Sequence, residues 1–243
     1  MTRLLNAARR VIPMAVGLLV FAQPAKAQTW VDWTAVAPGT PGSAKGNLPL
    51  GTGNVGVTYN GEVEPASSIS TGSSAGTYFD PAFGPGTFVS ATAPVGPTNN
   101  GWIQLYGPSQ GNLITFDSPV NRLFMAIISL GQGGRPVDYA FSLPFTILSQ
   151  GPGNWGGCYT CLTQPAPTVL HGVEGNGVLM FEAPAGIASL EFSVLNNENF
   201  HGFTIGVDAV TTTPEPASLA LLATGLVGVA GAARRRRKSG DAV

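Results

Sequence analysis

The chain has 243 residues, 44% of them hydrophobic and 10% charged, and a formal net charge of −1. That near-neutral total hides an uneven distribution: between Gln28 and Thr213 three cations (Lys45, Arg122, Arg135) stand against eleven acids, a net of −8. So acidic a stretch cannot build the phosphate-neutralising face that nucleic-acid binding requires, and nucleic acid is excluded as a partner.

Met1 to Arg10 carries Arg3, Arg9 and Arg10 and no acid. Val11 to Ala22 is apolar apart from Pro13 and Gly17, and Ala25-Lys26-Ala27 puts small residues at the two positions a signal peptidase reads. In that order these features make residues 1–27 a secretory signal, cleaved after Ala27. The apolar run is too short to span a bilayer. The residues around Arg9-Arg10 do not fit a twin-arginine pattern, so the general secretory route is expected.

Residues 28–212 are read as one folded domain, long enough for a real core despite the 33 glycines and 20 prolines of the chain. Helical periodicity is missing, and short β-branched and aromatic runs recur between Gly, Pro and Asn. Val55, Val57 and Tyr59 alternate ahead of an Asn60-Gly61 turn signal. Further strands are expected at GTFVSATA, GWIQLYG, NLITFDS, RLFMAIISL, VDYAFSL, FTILSQ, GVLMFEA, SLEFSVL and FTIGVDAV. Such a series predicts an all-β fold, a two-sheet sandwich of jelly-roll type; a β-helix would need a short regular repeat, and none is visible.

Two glycine motifs invite catalytic readings and fail on context. Gly51 to Gly56 satisfies G-x-G-x-x-G but precedes a strand, whereas the nucleotide fingerprint opens a helix. Gly72 to Gly76 satisfies G-x-S-x-G but has no helical continuation to expose Ser74, and nothing positions His171 or His201 as its base. Cys158 and Cys161, the only cysteines, are expected to form a local disulfide in an exported protein. Zinc binding would need two more ligands, and redox work a helix N-terminus. Trp155, in Asn154-Trp155-Gly156-Gly157, is the best candidate for stacking on a sugar, because its glycines let a ligand approach. Asp208, with Glu62 and Glu64, offers hard oxygen donors for a structural calcium, although a solvated carboxylate is the simpler reading; no other cofactor is expected.

Pro214-Glu215-Pro216 opens the tail. An uncharged stretch to Ala233 follows, about 27 Å long as a helix, and then Arg234, Arg235, Arg236, Arg237 and Lys238. The cations would stay cytoplasmic and leave the domain outside. This order resembles the PEP-CTERM sorting signal, and residues 213–243 are assigned to it. The resemblance implies an exported protein of a Gram-negative bacterium, transiently anchored in the inner membrane, recognised by an exosortase after signal peptidase has acted, and delivered to the envelope, cell surface or extracellular matrix. ITFDSPVNRLFMAIISLGQGG, PFTILSQGPGNWGG, GVEGNGVLMFEAP and NNENFHGFTIGVDAV also resemble a β-sandwich module common in proteins with that tail, over roughly residues 50 to 210. That module has no defining catalytic constellation. The expectation is therefore a non-enzymatic structural or polysaccharide-binding role. The alternatives are a glycan hydrolase, which needs two facing carboxylates, and an ice-binding protein, which needs a flat, regular face of Thr or similar residues.

Overall fold

The computed structural model describes residues 27–51, 53–67, 78–79, 84, 86–98 and 101–209. The expected secretory signal up to residue 26, the G-x-S-x-G motif and the tail from residue 210 lie outside the described residues. Among the described residues there are twelve strands: β1 (Gln28–Trp30), β2 (Asp32–Ala37), β3 (Gly39–Leu50), β4 (Gly53–Val63), β5 (Ile103–Leu105), β6 (Ser109–Leu130), β7 (Val137–Phe141), β8 (Phe145–Gly151), β9 (Leu162–Ala166), β10 (Val169–Gly172), β11 (Gly175–Val194) and β12 (His201–Asp208). All named pairings are antiparallel, and no helix occurs among the described residues.

Two long strands organise the sheet. β6 has 22 residues and β11 has 20, so NLITFDS and RLFMAIISL are one strand, as are GVLMFEA and SLEFSVL. Each is interrupted where proline removes a ladder donor: Pro119 in β6, and Pro184 before Gly186 (φ 82°) in β11. Register slips there, since Glu182 faces Arg122 while Ile187 faces Val120. Before its interruption β6 pairs with β4, and after it with β12. β11 pairs with β8 first and with β7 afterwards. One arm therefore runs β2-β3-β4-β6-β11-β7-β10-β9; the other holds β1 and β5 on one edge of β12, then β6, β11 and β8.

Side chains of the two arms meet in one core. Tyr59 on β4 packs edge-on against Phe203 on β12 at 5.3 Å between ring centres, although those strands do not pair. Phe203 also meets Phe192, which meets Tyr139. Such aromatic contacts, edge-to-face at Phe203 and tilted at Tyr139, add about 0.5–1.5 kcal/mol each beyond area burial. On β6, Leu123, Met125 and Ile127 join this core, while Phe124, Ala126 and Ile128 join a second cluster on the opposite face with Trp30, Phe79, Phe88 and Trp102. Burial on both faces explains why RLFMAIISL reads as an unbroken apolar run.

Two local expectations are corrected. Asn60-Gly61 is inside β4, paired with Ser43 and Gly42, and makes no turn. Gly61 serves close approach: a Cβ there would lie 2.4 Å from the Asn112 side-chain oxygen. GTFVSATA is no strand. The Ser90 side chain accepts the N–H groups of Thr92 and Ala93, and the Ser90 N–H donates to the Ala93 carbonyl, so the chain folds back locally. Its Phe88 and Ala93 cap the second cluster, and β1 pins it through Trp30 Nε1 to the Val95 carbonyl at 2.8 Å.

Candidate functional site

Trp155 lies in a tight loop closed by reciprocal backbone hydrogen bonds between Gly153 and Gly156. The loop wraps around Asn176 at the start of β11, whose Nδ2 donates to the carbonyls of Gly156 and Glu174. Only glycine allows this approach: Gly157 has φ 100°, and a Cβ there would lie 2.4 Å from the Glu174 carbonyl. The Trp155 indole is 48% exposed, enough to offer a ring to solvent. It stacks on Tyr78 at 4.7 Å and meets the Phe200 edge at 4.3 Å, and Trp102 packs beneath both partners. The indole is thus held from behind as a fixed platform. Cys158 and Cys161, just beyond, are joined by a disulfide that consumes both thiols.

Asn176 also organises a bulge. Its Oδ1 accepts the Ser129 N–H at 2.8 Å, where three steps on β6 (Ile127 to Leu130) face two on β11 (Gly177 to Gly175). Ser129 and Glu174 carry φ values of 50° and 55°, the positive-φ non-glycine residues of the described chain. The Ser129 hydroxyl donates to Glu174, and the Glu174 N–H to the Gly131 carbonyl. Glu198, in the loop between β11 and β12, approaches the same place. It is 4% exposed, and neither carboxyl oxygen has a hydrogen-bond partner. The Gly131 amide is near enough to favour its charge slightly but makes no hydrogen bond of normal geometry to either oxygen. Burial, with the neighbouring Glu174 charge, pushes the Glu198 carboxyl up to about 9. Burial raises Glu174 as well, against the opposing Ser129 hydrogen bond.

His201, opening β12, is fully buried and shares a short hydrogen bond with the Tyr139 hydroxyl through Nδ1. Burial lowers its pKa to about 3, leaving the imidazole neutral. Burial likewise holds Tyr59 and Tyr139 well above the usual phenol range.

The proposed calcium donors are not brought together. Both oxygens of Asp208 accept from Arg122 at 2.7 Å. Glu62 accepts the N–H groups of Tyr106 and Gly107 near the other end of β12, an eight-residue strand of roughly 25 Å. Glu64 stays beside Glu62, raised by burial and by the Glu62 charge. Asp208 meets the one nearby cation instead, a non-local pairing that strand order alone does not reveal. His171 pairs with Asp138 at 2.7 Å, far in role from His201. Among the described residues no three His, Cys, Asp or Glu side chains gather as a metal-ligand set. The G-x-G-x-x-G stretch runs into β4 rather than a helix.

Sequence reasoning named Trp155 but missed Asn176, Ser129, Glu174, Glu198 and Phe200. The only signal was indirect: an Asn flanked by glycines (Gly175-Asn176-Gly177) and an acid inside an Asn-rich loop.

Residues 212–237 match the PEP-CTERM protein-sorting motif. No curated protein and no solved structure matches the chain. The motif marks an exported protein with a membrane-anchored sorting signal that is processed by an exosortase.

Proposed function

We propose that residues 28–212 of this exosortase-sorted protein form a two-sheet sandwich of jelly-roll type with a non-catalytic role, contacting polysaccharide at the surface or in the extracellular matrix of a Gram-negative cell. Residues 1–27 are the cleaved signal and residues 213–243 the sorting tail, in which Pro214, Glu215, Pro216 and Arg234 to Arg237 meet the exosortase. The sorting motif carries this reading: it marks the protein for export, and polysaccharide is an abundant polymer outside the cell. The Trp155 platform supports it: a rigid, half-exposed indole backed by Tyr78 and Phe200 presents a ring face that sugar C–H groups can cover.

A glycan hydrolase is the second reading, and one observation speaks to it. Glu174 and Glu198 form a neighbouring acid pair with raised pKa values, as a general acid would require. Glu198, however, is sealed from solvent, and a sugar cannot reach a carboxyl that water cannot. The pair therefore couples a half-buried acid to a sealed one and opens no cleft at Glu198. Pull-down of the exported protein on a panel of bacterial polysaccharides tests the binding reading. Retention that falls at least tenfold in Trp155→Ala supports it. No retention on any polysaccharide by the native protein removes it, and release of reducing ends would favour the hydrolase.

A further inference from the structure

We propose that Glu174 and Glu198, with the Ser129 hydroxyl, form a site for one hard divalent cation, calcium in particular, where the end of β6 meets the start of β11 and the loop leading into β12. Two acids alone would not make a site. The independent observation is the state of Glu198: 4% exposed, both oxygens sealed from water, and neither accepting a hydrogen bond. Buried carboxylates in folded proteins are paired, hydrogen-bonded, protonated or bound to metal, and this one has no ion pair and no hydrogen bond of normal geometry within the chain, only the Gly131 amide nearby. It lies close enough to Glu174 to feel that residue's charge, and the Glu174 Oε2 accepts only a long 3.4 Å contact from Ser129. A cation between the two carboxylates answers both deficits at once.

The donor chemistry selects the ion. Two carboxylates and a hydroxyl are all oxygen, with the Gly131 backbone alongside and no thiolate in reach because both cysteines are bridged. The His201 imidazole is engaged with Tyr139. Hard oxygen donors suit calcium or magnesium rather than zinc or copper. Calcium accepts irregular, higher-coordinate geometry, whereas magnesium demands a near-ideal octahedron that a strand bulge does not provide. Both Ser129 and Glu174 are held at positive φ, and the Asn176 amide that fixes their segment also fixes the Trp155 loop. Phe200, two residues beyond Glu198, touches Trp155. An ion here would therefore lock the floor of the platform, and its binding does not depend on whether that platform meets polysaccharide.

The test is calorimetric titration of the full chain, in mild detergent and stripped with EGTA, with calcium chloride and separately with magnesium chloride, followed by thermal unfolding. One calcium per chain is expected, with a dissociation constant of about 0.1–1 mM, the range of extracellular modules, and an unfolding temperature that climbs with calcium. Glu198→Gln keeps the shape of the side chain and should weaken calcium at least tenfold, while Glu191→Gln, an exposed acid elsewhere on β11, should leave it unchanged. If Glu198→Gln fails to fold, Glu174→Gln decides by the same criterion. Absence of calcium heat and of any thermal shift in the native protein overturns the site, as does equal calcium affinity in the native and Glu→Gln chains.

Discussion

At the C-terminal end of β12, Asp208 accepts two 2.7 Å hydrogen bonds from Arg122, whose guanidinium also lies over the Phe124 ring at 5.7 Å. Just before the N-terminal end of the same strand, Glu198 is more deeply buried and has no such partner, and His201 is buried neutral beside it. The difference separates scaffold from site. One of only three cations in the body is spent on Asp208, so that end is self-sufficient and closes the sheet. The other end keeps acids that no cation of the described chain pairs with, in the segments that also hold the half-exposed tryptophan through Asn176 and Phe200. Leaving a polar group uncompensated in the interior costs stability, and such places mark chemistry reserved for a ligand.

The contrast can be broken by pH, and the largest effect is expected there. In protein stripped of divalent ions, the folded-state pKa of Glu198 lies above that of the unfolded chain, so its contribution is fully present below about 4.5 and is lost as pH rises through about 9. His201 runs the other way: its contribution is present above about 6.5 and is lost as pH falls toward about 3. Each slope is about 1.4 kcal/mol per pH unit. Stability should therefore rise by about 3 kcal/mol from pH 9 to 6.5, level off to about 4.5, and fall below that. Urea midpoints across this range check the shape, and Glu198→Gln should flatten the alkaline limb; an unchanged limb would mean that Glu198 is not the group responsible.

Asp208→Ala should come next, at about 2–3 kcal/mol, because it leaves the partly buried Arg122 charge only the more distant, exposed Glu182 carboxylate at 3.9 Å. Equilibrium unfolding at pH 7 measures it, and a loss below 0.5 kcal/mol, about the size of an exposed pair, would make this end ordinary surface. Asn176→Ala should cost about 2 kcal/mol by orphaning the Ser129 N–H and releasing the Trp155 loop. Its particular readout is red-shifted tryptophan emission, which a purely global destabilisation would not give under native conditions. Replacing Cys158 and Cys161 by Ser should cost the least, about 2 kcal/mol at most for so short a loop, with Trp155→Ala still the stronger effect on polysaccharide retention.

Legibility followed distance along the chain. The alternation around Val55, Val57 and Tyr59, and the apolar run of RLFMAIISL, announced strands because strand periodicity is local. The expected turn at Asn60-Gly61 failed because Gly61 answers to Asn112, more than fifty residues away, and the expected strand at GTFVSATA failed because Ser90 captures its own neighbours. Trp155 could be singled out from its flanking glycines, whereas Asn176, which holds its loop, could not.

By itself, then, the sequence determined the address and the class. The sorting motif is contiguous and chemically explicit, and an all-β chain follows from short-range pattern. The tertiary structure alone decided which acids are answered. Arg122 reaches Asp208 across 86 residues, while Glu198 meets Glu174 and no cation. Charge compensation is set by distances of a few ångströms between segments far apart in the chain, and no local pattern encodes those distances.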